Sequence, residues 1–70
     1  MINVTVTWIS SNKKDQQVTL SDSATVQELL DLLCLNQHDY LIIVKGSNRL
    51  ANYPLSDKDI VKILYSMAGG

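Results

Sequence analysis

The sequence predicts one α+β domain: a mixed sheet of four to five strands with one main helix packed on one face. Three observations predict it. The chain opens with two alternating apolar–polar segments, continues with one stripe of helical period, and closes with two strongly apolar strand-type runs. Ile2 to Trp8 alternates and is rich in β-branched residues, so it reads as a half-buried strand with Ile2, Val4, Val6 and Trp8 facing inward. Residues 10–15 form a polar turn. Gln17 to Leu20 alternates again and returns as the second arm of a hairpin, which residues 21–23 close.

Thr25 begins the helix. Its hydroxyl is placed to cap the first backbone N–H groups, and Glu28 three residues later completes a capping box. Ala24 and Leu29 are spaced as the accompanying hydrophobic staple. Val26, Leu29, Leu30 and Leu33 fall on one stripe, with Gln27, Glu28 and Asp31 on the wet side. The helix is expected to end at Leu35–Asn36, with Asn36 as a left-handed cap.

Tyr40 to Lys45 is apolar enough to predict a central strand covered on both faces. Residues 46–48 turn the chain. Leu50 to Pro54 is short and irregular, and Pro54 restricts any strand there to an edge. Residues 57–59 make another turn. Ile60 to Met67 is the last strand, with Val61, Ile63, Tyr65 and Met67 on one side and Lys62, Leu64 and Ser66 on the other. A helix that follows a hairpin must hide its stripe on one face of the sheet. The last strand can then lie parallel beside the first.

Seventy residues make one domain with a small core. With 46% apolar and 19% charged residues the chain lies far from the composition of disordered segments. So small a core rarely encloses the pocket of several hundred cubic ångströms that an enzyme needs, which favours a carrier or binding role and no catalytic set of its own. Net charge is −1 and the six basic residues are scattered, so no basic patch for direct nucleic-acid binding is expected. The opening residues lack the basic and long apolar regions of a secretory leader. Leu41–Val44 is far too short to span a membrane. The single Cys34 cannot form an internal disulfide, and a reducing cytoplasm is the simplest setting.

The chemistry points to the end of the chain. An apolar strand runs into Ala68-Gly69-Gly70. Glycine is costly in a strand, so two together need another reason. Residues without Cβ thread a narrow channel and leave the terminal acyl carbon unhindered. The division expected is a globular domain over 1–66 and a flexible tail over 67–70. Five residues from Ser66 reach about 17 Å when extended, enough to carry the Gly70 carboxylate into another protein's nucleotide site. Ordering that tail costs about 1–2 kcal/mol per residue, so a partner must also grip the globule. A carboxylate becomes an acyl donor only after activation. The sequence has no phosphate-cradling loop, so activation belongs to a partner.

These features resemble the small sulfur-carrier and modifier proteins of the β-grasp (ubiquitin-like) superfamily, including the thiamin and molybdopterin sulfur carriers and the small archaeal modifier proteins. The resemblance spans the chain through NVTV, TVQELL, LNQHDYLIIVKGSNRL and DIVKILYSMAGG, and its segments around His38, Lys45-Gly46 and the last strand are nearest the archaeal modifier branch. It implies a β-grasp fold and a monomer. It also implies an E1-like enzyme that uses ATP and magnesium to adenylate the terminal glycine, with no cofactor bound by the carrier. The acyl group would then become a thiocarboxylate that donates sulfur to tRNA or a cofactor, or would be joined to a target lysine. Gly69 and Gly70 are the residues carried over, with Ala68 beside them in the enzyme's channel. One departure stands out: the family often has Asp-Gly-Asp before the last strand, where this chain has Asp57-Lys58-Asp59.

Other residues invite sharper readings. His38 beside Asp39 suggests acid–base chemistry, but sequence neighbours in a loop rarely converge, and neither a nucleophile nor a set of metal ligands accompanies them. Cys34 reads as a small buried hydrophobe near the helical stripe; exposed, it would link two copies through a disulfide. Trp8 reads as core. Leu64, opposite Val61, Ile63 and Tyr65 and close to the tail, is the candidate for an apolar docking patch. Lys13, Lys14, Lys58 and Lys62 solubilise the surface and are also amines open to self-conjugation. The alternative function is a non-covalent ubiquitin-like interaction module.

Overall fold

The computed structural model describes residues 1–9 and 11–66. Ser10, in the expected first turn, and residues 67–70, with the expected tail, lie outside the described residues. Five strands form one sheet: β1 (Ile2–Ile9), β2 (Gln16–Leu20), β3 (Tyr40–Val44), β4 (Ser47–Asn48) and β5 (Ile60–Tyr65), in the order β2-β1-β5-β3-β4. The helix α1 (Val26–Leu32) packs on one face. β1 and β2 form an antiparallel hairpin, and β5 lies between β1 and β3, parallel to the first and antiparallel to the second. This is the β-grasp arrangement, with the expected parallel pairing of the first and last strands.

The alternation in sequence sets the core. Val4, Val6, Val18, Leu20, Ile42, Val44, Val61 and Ile63 point from four strands toward Val26, Leu29 and Leu30 of the helix. Leu33 packs half-buried at the end of the stripe. Burying each such side chain contributes roughly 1.5–3 kcal/mol. β3 departs from expectation. It neighbours the central β5 but is not covered on both sides, because α1 shields only the face carrying Ile42 and Val44, and Leu41 is left exposed.

The helix ends also differ from the sequence reading. Thr25 is the N-cap residue, yet its side chain makes no capping hydrogen bond. Long-range carbonyls take that role. Val26 N–H donates to Tyr53 O at 3.0 Å and Gln27 N–H donates to Ala51 O at 2.9 Å. Thr25 is occupied in a backbone bridge to Pro54, and the Glu28 carboxylate accepts from Ser21 Oγ instead of reaching back to the cap. At the other end the left-handed residue is Cys34 (φ 59°), not Asn36 (φ −96°). Cys34 N–H donates to Asp31 O and Leu35 N–H to Leu30 O, the two bonds of a Schellman motif. Asn36 instead caps the 3₁₀ turn Gln37–Asp39, its side chain accepting from His38 N–H.

Two turns hold lysines in left-handed backbone. Lys45 (φ 54°) and Gly46 (φ 79°) make the two-residue connection between β3 and β4, the twist that a type I′ hairpin requires. Lys58 (φ 69°) adopts the glycine-type conformation in the Asp57-Lys58-Asp59 turn. That turn clamps the start of β1. Asn3 N–H donates to Asp57 Oδ1 at 2.8 Å, Lys58 N–H to Asn3 O at 2.7 Å and Thr5 N–H to Asp59 O at 2.9 Å. Asp59 is buried, and its carboxylate accepts from Ser56 N–H at 2.8 Å.

A non-glycine residue in left-handed backbone costs roughly 1–2 kcal/mol. Lys58→Gly removes that cost and keeps the N–H that Asn3 accepts. Part of the gain is offset by the greater freedom of glycine in the unfolded chain. The variant is expected to be more stable by about 0.5–1 kcal/mol, read as a higher denaturant midpoint at unchanged slope. A lower midpoint would mean that the Lys58 side chain contributes more than its backbone costs.

Candidate functional site

β5 delivers the chain to one end of the sheet. It starts in the clamped turn, runs beside Thr5 to Ile9 of β1 and finishes at Tyr65, opposite Tyr40 of β3. Ser66 N–H then donates to Asp39 O at 2.7 Å, which fixes the last described residue against the 3₁₀ turn. Ala68, Gly69 and Gly70 follow this anchor in sequence and lie outside the described residues.

Around that point the helix no longer covers the sheet. The inward positions there are Trp8, Tyr40 and Tyr65: the first two half-buried, the third exposed. The Tyr40 and Tyr65 rings meet edge to face, with centroids 5.3 Å apart. Lys13, from the turn after β1, lies over the Trp8 ring with Nζ 4.3 Å from its centroid. Trp8, Lys13, Tyr40, Ile63, Leu64 and Tyr65 line an open groove of about 300 Å³. A second depression of about 380 Å³ lies between α1 and β3, with Val26, Leu30 and Ile42 in its floor and His38 and Arg49 on its rim. Tyr65 borders the first and Ser66 the second, so the chain leaves the sheet between them.

Leu64 is half-buried on the face away from the helix. The register puts it beside Ile9 of β1 and Leu41 of β3, which makes an apolar row across three strands. Ile43 and Lys62 form the neighbouring rung. Periodicity placed Leu64 on this face. The groove on the other face was missed, since its members come from three strands and a loop. The signal in the sequence was the coincidence of Trp8, Tyr40 and Tyr65 at inward positions near strand ends, where aliphatic residues fill the rest of the core.

His38 and Asp39 sit together in the exposed 3₁₀ turn, where their backbone groups serve the Asn36 cap and the Ser66 anchor. Among the described residues no cluster of His, Cys, Asp and Glu is arranged to hold a metal ion, and no helix is long and apolar enough to cross a membrane. Cys34 is exposed, contrary to the sequence reading. Its left-handed position after the helix turns its side chain away from the stripe that Leu30 and Leu33 bury.

The family model described as the ThiS family matches residues 5–70. Among solved structures the chain is similar to the Pyrococcus furiosus protein described as a molybdopterin converting factor, subunit 1 (TM-score 0.80, 16% identity, 96% of this chain and 100% of that one). It is similar also to SAMP1 from Haloferax volcanii (TM-score 0.77, 13% identity, 97% and 99% covered) and to a Caldiarchaeum subterraneum ubiquitin (TM-score 0.74, 13% identity, 99% and 98% covered). At these identities the likeness is one of fold. No curated protein matches the sequence.

Exposure of Cys34 predicts its reactivity. In the native protein a chromogenic aromatic disulfide should titrate the thiol fully, within about tenfold of the rate in the unfolded chain. Protection by several hundredfold would return the thiol to the core.

Proposed function

The chain belongs to the ThiS family of ubiquitin-fold sulfur carriers, and from that premise we propose that its working group is the carboxylate of Gly70. An E1-like partner activates it with ATP and magnesium. A carboxylate oxygen attacks the α-phosphorus of ATP, pyrophosphate leaves and an acyl adenylate forms. A sulfur nucleophile supplied by a partner then displaces AMP on the way to a thiocarboxylate, which donates sulfur in tRNA thiolation or cofactor synthesis. Alternatively a lysine amine of a target protein attacks the acyl carbon, AMP leaves, the nitrogen loses a proton and an isopeptide bond forms. The carrier supplies no catalytic side chain and works as a monomer in the cytoplasm.

The observation that carries this reading is the reach of the family match, which runs through Ala68-Gly69-Gly70 to residue 70. Two further observations support it. The Ser66 anchor holds the chain at a sheet end flanked by concave surface. The row of Ile9, Leu64 and Leu41 offers the grip on the globule that the cost of ordering a tail demands.

With the E1-like enzyme of its own organism and ATP–Mg²⁺, the protein is expected to support pyrophosphate exchange, and removal of Gly70 to abolish it. Exchange retained by the shortened chain would overturn the proposal. Intact mass of the protein recovered from its host divides the two outcomes downstream. Replacement of one oxygen by sulfur at the terminus marks the carrier, and Gly-Gly remnants on lysines of other proteins mark the modifier.

A further inference from the structure

The groove at the end of β5 has a chemistry of its own. Its walls are two aromatic units, Trp8 on one side and the Tyr40–Tyr65 pair on the other, with Ile63 between them. Its one formal charge among the described lining residues is Lys13. The Lys13 ammonium rests on the Trp8 ring, and among the described residues no carboxylate pairs with it. A lysine held over an aromatic face is already oriented, so pairing it with an anion costs less side-chain entropy than pairing a free one. Aromatic walls with a charge at the rim match the composition of protein-docking sites, where rings anchor apolar side chains and peripheral charges select the partner.

The geometry points to this groove as the specificity contact for the activating enzyme: a segment of that enzyme enters with an apolar side chain between Trp8 and Tyr65, and its carboxylate pairs with Lys13. This rests on the function proposed above. The occupant follows from two facts. Tyr65 and Leu64 lie within two residues of the Ser66 anchor, so this groove adjoins the point from which the end of the chain continues in sequence. The unpaired cation, with no acidic group in the lining, selects an acidic segment over a basic one. On the opposite face Lys62 stands on the rung beside the aliphatic row, but among the described residues no aromatic ring holds that cation in place.

Pyrophosphate-exchange kinetics with the organism's E1-like enzyme test the contact. Lys13→Glu is expected to raise the KM for the carrier about tenfold with kcat within about twofold, because a rim charge acts on encounter and binding rather than on the acyl chemistry. Lys13→Arg should retain the wild-type KM, and Lys13→Met should fall between them. Wild-type KM should climb with ionic strength, and the Lys13→Met variant should lose part of that slope, which a purely structural role of the lysine would not produce. The chain has one tryptophan, so its single indole N–H resonance reports directly on the groove and should shift when unlabelled enzyme is added without ATP. If the wild type supports exchange while Lys13→Glu keeps its KM and the indole does not move, the groove assignment fails and the proposed function stands. If the indole moves but wild-type exchange is absent, the function fails and the groove remains a docking site. Neither signal from the wild type overturns both.

Discussion

The pairing of β5 with β1 is the constraint on which the rest depends. A parallel pair cannot close through a tight turn and needs a crossover. Here everything between β2 and β5 serves as that crossover, and it must also supply the cover for the sheet. One helix of seven residues does so. At 1.5 Å per residue it is about 10 Å long, whereas β1, with eight residues, runs to about 26 Å. The helix therefore cannot shield the whole inner face. Aliphatic side chains fill the part it covers, and Trp8, Tyr40 and Tyr65 occupy the end it leaves open. Large rings with a polar tip are the residues that tolerate half-burial best. The groove beside the C-terminal exit is thus a consequence of covering a long sheet with a short helix.

The crossover carries a second burden. With the helix so short, its first N–H groups represent a large share of its hydrogen bonding, and they must be satisfied. The irregular segment around residues 51–55 does this with main-chain carbonyls, while Leu55 N–H returns a bond to Ala24 O at 2.9 Å and the Leu55 side chain joins the core. An otherwise shapeless stretch is in this way fastened to the helix entry by three main-chain hydrogen bonds. The same economy holds at the Asp57-Lys58-Asp59 turn, which extends the β1–β5 alignment by hydrogen bonds before the strand itself begins.

These particulars explain what could be read from the chain. Period-two and period-3.6 patterns reveal strands and helix because each reports burial on one face. Val4, Val6, Leu29 and Ile63 fell where their spacing put them. Thr25 and Glu28 misled because a capping box is a local signal, and a carbonyl brought from residue 53 competes for the same N–H without leaving any local trace. Cys34 misled for a related reason. The stripe continues past it in sequence, but the Schellman bonds end the helix two residues earlier than Asn36 suggested and aim the thiol outward. At Lys58 the glycine signal was missing although the glycine conformation was kept, because two backbone hydrogen bonds to β1 and a third from Asn3 N–H to the Asp57 carboxylate outweigh the strain of one side chain. The site divided in the same way. Leu64 was legible as an outward residue of a patterned strand, and the aromatic groove was not, since no single element contains it.

A carrier of this size has to satisfy two opposing demands. On the function proposed, its reactive end must enter another protein's active site, which asks for a slender, easily ordered segment. Its body must be recognised, which asks for rigid surface. A parallel central strand resolves the conflict, since β5 is paired on both sides from Val61 to Leu64, keeps its β3 neighbour at Tyr65 and is then held once more by the Asp39 carbonyl. Hydrogen-bonded backbone thus extends as far as Ser66. Every residue left to be ordered on docking costs about 1–2 kcal/mol, so the closer the fixed surface comes to the acyl end, the less of the docking energy is lost to ordering. On that proposal, recognition features placed at that end of the sheet, the apolar row on one face and the aromatic groove on the other, act over the shortest lever to the carboxylate. The same features moved to the β1 start would leave the tail's position almost unconstrained. The position of the grip relative to the reactive group, more than its area, is what a 70-residue carrier can optimise.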